Sequence, residues 1–147
     1  TGFIRLRKLD RFGKPTSTEK LIYFLVFELN NIQSSPKFKA VIQSALKGDM
    51  TEDQWIEKNT RIEYEAYRKT IDFYKTVFFP LAKTRHFHLH PFHWGADGPT
   101  TYAGWIARYD DRSEYPWSYW GKYYRTVIEP SVKYLKKERE TDASLTR

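Results

Sequence analysis

The chain has 147 residues and a formal net charge of +7; it lacks Cys and carries 18% aromatic residues, with 11 Tyr, 10 Phe and 5 Trp. This length fits one domain, or one small domain with an extension. The absence of Cys excludes disulfides and thiolate metal sites, while the charge admits acidic partners of any kind. Aromatic residues at this density suit interfaces, where large amphipathic rings anchor contacts.

Residues 1–15, TGFIRLRKLDRFGKP, form a basic lead-in in which Arg5, Arg7, Lys8, Arg11 and Lys14 face one acid, Asp10. The first residue is Thr rather than Met, so a processed or trimmed start is expected. Thr16 and Glu19 have the spacing of a capping box, which predicts a helix over 17–32. Leu21, Leu25, Leu29 and Ile32 make its apolar stripe, with Ile22 and Val26 alongside. The longest apolar run, Leu21 to Phe27, falls far short of the roughly 20 residues of a membrane span.

Ser35 as cap, Pro36 at the first helical position and Gly48 past the last turn frame a second helix. A third opens at a capping box, Thr51 with Gln54, and carries Trp55, Ile62, Ala66, Phe73 and Val77 near one face, with Asn59 a polar intruder. Thr60 with Glu63 could restart it, and Pro80 is expected to end it, because the residue before Pro avoids the helical region. Residues 84–117 hold three Pro and three Gly and lack a sustained period, which predicts an extended arm. A last helix is expected over 118–139, with Pro130 kinking it or starting another. No internal repeat is expected. The fold class is therefore mainly α, with an antiparallel three-helix bundle over 1–83, then an extended docking arm and C-terminal helix over 84–147.

All four histidines lie in RHFHLHPFHW, Arg85 to Trp94. If 86–90 is extended, His86, His88 and His90 share one face, as an open zinc site would need. No HExxH sequence and no nearby carboxylate supports catalysis there, so polar aromatic residues on an arm are the preferred reading. In WGADGPTTY, Gly95 and Gly98 are expected to free the backbone around an anchored Trp94, since no dinucleotide or phosphate-loop motif is present. In YPWSYWGKYYR, Tyr115 to Arg125, aromatics interleaved with Lys122 and Arg125 could stack bases, but their spacing fits a helix face for a protein partner better. Glu63 and Glu65 read as surface ion-pairing residues.

The order of features resembles the B13 family of accessory subunits of mitochondrial complex I (subunit five of the alpha subcomplex). The resemblance rests on TGFI at Thr1 to Ile4, EKLIYFLVFELNNI in the first helix, Pro36, Phe38 and Lys39 in SPKFK, and Pro91, Trp94 and Gly95 in HPFHWGADGPTTY. It covers about residues 1–102; the first Trp of the family's turn is unmatched, the loop before the first helix is longer, and 103–147 extend beyond the pattern. PFHWGADG is also similar to a motif of cytochrome c oxidase subunit VIa, a family that needs an upstream membrane helix. The B13 resemblance implies a peripheral subunit on the matrix side of the mitochondrial inner membrane. It implies no catalytic residue, no cofactor and no metal, and a role in assembly and stability of the matrix arm. The partners expected are other subunits of that complex, docked on Phe92, Trp94, Trp105, Trp117, Trp120 and Tyr124. Alternative readings are a basic RNA-binding or ribosome-associated protein, and a metal protein using the histidine cluster.

Overall fold

A computed structural model describes Ile4, Leu6, residues 13–109 and residues 111–145. The start of the family-like TGFI stretch and most of the basic lead-in lie outside the described residues. The described residues are mainly helical and contain no strand. Helices α1 (Thr18–Gln33), α2 (Ser35–Leu46) and α3 (Glu52–Phe73) stand where periodicity and caps place them. The Thr51 box is formed in full: Gln54 N–H donates to Thr51 Oγ1, and Thr51 N–H donates to Gln54 Oε1. Gly48, at φ +89°, follows α2 in the left-handed region.

The cap of α1 differs from expectation. Ser17, not Thr16, accepts from the backbone N–H of Lys20. Glu19 is thereby released from capping and reaches a different partner, described below. Nor does α3 break at Thr60, whose hydroxyl folds back onto the carbonyls of Ile56 and Glu57 within a continuous helix. Asn59, the polar intruder, is buried and donates to the Trp55 carbonyl in the same way.

Pro80 does not end the helix. A π turn, Tyr74–Phe78, follows α3 and leads into α4 (Phe79–Thr84). Proline has no N–H to donate and its ring clashes with the carbonyl four residues back. The turn before it widens, so that Phe79 N–H donates to the Tyr74 carbonyl five residues away. The same device occurs again. Helix α7 (Trp117–Tyr123) passes through a π turn, Tyr124–Ile128, into α8 (Glu129–Leu145), and Glu129 N–H donates to the Tyr124 carbonyl just before Pro130. In both turns a threonine hydroxyl, Thr76 or Thr126, donates to the carbonyl four residues back.

These two turns expose an internal repeat, contrary to the sequence expectation. Tyr74, Thr76, Val77, Pro80 and Lys83 recur 50 positions later as Tyr124, Thr126, Val127, Pro130 and Lys133. Thr51, Trp55 and Ile56 recur at the same spacing as Thr101, Trp105 and Ile106. Thr101 plays the part of Thr51: its carbonyl accepts from Trp105 N–H as that of Thr51 accepts from Trp55 N–H, and its hydroxyl accepts from Gly104 N–H. The stretches between these landmarks share almost nothing, Ala66 and Thr70 standing opposite Pro116 and Trp120.

The arm expected over 84–117 also contains helix. It holds two short helices, α5 (Pro91–Trp94) and α6 (Tyr102–Ile106). The chain divides into two compact units, one of residues 1–34 with 63–105, the other of 35–62 with 106–147. Neither is one continuous segment, and a cut after residue 83 separates neither.

In the second unit the core is built on Trp55, which is fully buried with Ala45, Met50, Ile56 and Ile128. Its ring stacks on Tyr123, with centroids 5.7 Å apart and planes 12° apart, and meets the edge of Trp120 at 5.9 Å. Its indole N–H donates to the Trp120 carbonyl at 3.0 Å. Tyr124 donates its hydroxyl to the Met50 carbonyl, tying the π turn to the loop before α3. Trp55→Ala should destabilise the protein by roughly 3–5 kcal/mol, since it empties a buried aromatic site and removes the indole hydrogen bond to the Trp120 carbonyl; chemical denaturation measures the loss.

Candidate docking site around the Trp94 turn

Helix α4 ends in a Schellman motif. Phe87 N–H donates to the Ala82 carbonyl and His86 N–H to the Lys83 carbonyl, with His86 in the left-handed position at φ +56°. A left-handed residue interrupts the extended alternation that would have aligned His86, His88 and His90. Five residues after His86 the chain starts α5, whose end repeats the motif: Ala96 N–H donates to the Pro91 carbonyl, Gly95 N–H to the Phe92 carbonyl, and Gly95 sits at φ +61°. Glycine belongs at this position for a second reason. A Cβ on Gly95 would lie 3.0 Å from the Tyr67 hydroxyl, which donates to the Gly95 carbonyl.

Between the two motifs Trp94 swings inward and is completely buried. Its ring packs on Tyr74 and Phe78 at 5.0 and 4.9 Å and takes the edge of Tyr23 at 5.8 Å. Its indole N–H donates to Glu19 Oε1 at 2.9 Å. The same carboxylate accepts the backbone N–H of His90, and Oε2 stands 3.5 Å from His93 Nδ1. One acid on α1 thus holds three points of the histidine segment. Burial first, and then the negative charges of Glu19 and Asp97, push the Tyr74 hydroxyl above its ordinary pKa, which keeps the ring neutral against Trp94.

The histidines divide among separate tasks. His86 turns the chain, His90 supplies a backbone donor, His93 faces Glu19, and His88 is exposed at the wall of a cleft. His90 and His93 rings lie 5.2 Å apart, but among the described residues no three His, Asp or Glu side chains converge as a metal would require.

Of the six docking candidates, Phe92 projects outward and is 89% exposed. The others contact their own chain. Trp94 is held as above, and Trp105 is buried against Tyr64 and Tyr67. Trp117, half-buried, donates its indole N–H to the Tyr109 carbonyl beneath the Arg112 guanidinium. Trp120 stacks on Phe38 at 5.7 Å, and Tyr124 is bound to Met50. Glu63, expected on the surface, is buried.

Two features escaped the sequence reading. One is Glu19, hidden because its spacing from Thr16 already had an explanation. The other is the face of α1. Its Asn30 donates to Thr70, and its Tyr23 meets Trp94, but Leu25, Leu29 and Ile32 are 37, 46 and 52% exposed. These positions follow i, i+4, i+7, so they form one stripe directed away from the chain. No residue of α1 is fully buried.

No helix among the described residues is long and apolar enough to cross a membrane. No family model matches the chain, and comparison with curated proteins and with solved structures finds no match to either.

The two Schellman positions give opposite expectations. His86→Gly should stabilise by about 1 kcal/mol by removing left-handed strain, while Gly95→Ala should destabilise by about 1–2 kcal/mol through the same strain, with the Tyr67 contact added. Paired thermal melts check both signs.

Proposed function

We propose that this chain is a non-catalytic structural subunit of a larger assembly, and specifically an accessory subunit of the matrix arm of mitochondrial complex I. The observation that carries the docking role is the exposed stripe Leu25, Leu29 and Ile32 on α1. A helix that packs by one side and leaves a second, regular apolar stripe in water has the pattern of a helix seated against a partner. Phe92, on the turn that Glu19 fixes, adds a large apolar side chain on a rigid support, a suitable interface anchor. The net charge of +7 favours acidic neighbours.

The choice of complex I rests on the sequence pattern, from TGFI through Pro36 and Phe38 to Pro91, Trp94 and Gly95. In this reading the histidine segment positions Phe92, and the tryptophans stiffen the subunit for docking.

The test is native-gel separation of mitochondrial membranes solubilised in mild detergent. The endogenous protein should run with NADH dehydrogenase activity. Leu29→Lys should leave the stability of the isolated chain within about 0.5 kcal/mol, as surface changes generally do, and yet remove the protein from that band. Migration apart from the activity, or retention of the Leu29→Lys variant in the band, contradicts the proposal.

A further inference from the structure

Beside the Trp94 turn lies a cleft of about 410 Å³, within the range of small-molecule sites. Ile22, Phe78, Phe87 and Leu89 give it apolar walls, and Thr18, Glu19 and His88 complete the lining. It occurs where three elements leave a gap: the first turns of α1, the end of the π turn, and the stretch between the two Schellman motifs.

Glu19 makes this cleft chemically specific. Its side chain is only 11% exposed. The N–H groups on its carboxylate, from Trp94 and His90, are neutral donors that bring no counter-charge to it. A carboxylate has about four lone-pair sites; Trp94 and His90 donate to this one, and His93 Nδ1 stands 3.5 Å from Oε2, beyond an ordinary hydrogen-bond length, so there is room for another donor. An anion held against an apolar wall attracts a cation more strongly than it would in water, because the low-dielectric surroundings screen it less. A neutral apolar molecule gains only the walls; an apolar cation gains the walls and the carboxylate together.

We propose that this cleft binds a small apolar amine, its ammonium group on the Glu19 carboxylate and its hydrocarbon among Ile22, Phe78, Phe87 and Leu89. Nothing in the docking role of the α1 stripe requires this site, and the two stand or fall separately. Phe87 is well exposed, so it closes the outer wall without supporting the core.

The probe is 2-phenylethylamine, with 2-phenylethanol as its uncharged counterpart, titrated into the full chain while the Trp94 indole N–H resonance is followed. That proton lies on the carboxylate and reports a second donor arriving there. The amine should shift it saturably and bind at least tenfold more tightly than the alcohol. Phe87→Ala should weaken amine binding at least fivefold with the melting temperature unchanged. Glu19→Gln should bring amine and alcohol to equal affinity. If that variant does not fold, the amine–alcohol ratio and Phe87→Ala decide alone. A shift that does not saturate, equal affinities for amine and alcohol, or unchanged binding by Phe87→Ala overturns the proposal.

Discussion

A buried tryptophan seated on the aromatic pair that begins a π turn organises each of the two units. In one, Phe73 and Tyr74 contact Trp94; in the other, Tyr123 and Tyr124 contact Trp55. The pairs are equivalent positions of the repeat, but the tryptophans are not: Trp55 precedes its π turn on α3, whereas Trp94 follows its own on α5. Each is desolvated completely, and each finds an acceptor for its indole N–H, the Trp120 carbonyl or the Glu19 carboxylate. A buried indole without an acceptor would forfeit about 1–3 kcal/mol of what its burial contributes. The acceptor therefore fixes where the neighbouring chain must run.

Proline makes this arrangement repeatable. A regular α-helix would be disrupted at Pro80 and Pro130. The π turn absorbs the missing donor and keeps the helical path through both prolines. Thr76 and Thr126 then supply hydroxyl donors inside the turn. The aromatic pair begins that widened turn in each unit, and so helix distortion and tryptophan placement arise from the same few residues.

Local signals in the sequence are legible where short-range chemistry decides. Thr51 with Gln54, Pro36, and Gly48 mark real helix ends, and Gly95 was expected to serve as a turn around an anchored Trp94. Long-range choices were not legible. Periodicity identifies the stripe Leu25, Leu29, Ile32 but not which side of α1 meets the rest of the chain. The chain turns this stripe outward because Tyr23 and Asn30, on other sides of the helix, have partners in Trp94 and Thr70. An extended 86–90 would put His86, His88 and His90 on one face; a left-handed backbone at His86 breaks that alternation, and the residue types there do not signal it. The repeat was available in principle in Tyr-Lys/Arg-Thr-Val-x-x-Pro and Thr-x-x-x-Trp-Ile. Its central stretches differ too much to draw attention, and the common π turn makes the correspondence plain.

The most direct test of this account is hydrogen exchange at the five indole N–H groups of the intact chain, followed by NMR. The Trp55 and Trp94 indole protons should exchange far more slowly than an exposed indole, and only through openings that also release the core amides of α3. Fast exchange at either, with the α3 amides still protected, would show that the tryptophan is not what holds its unit together.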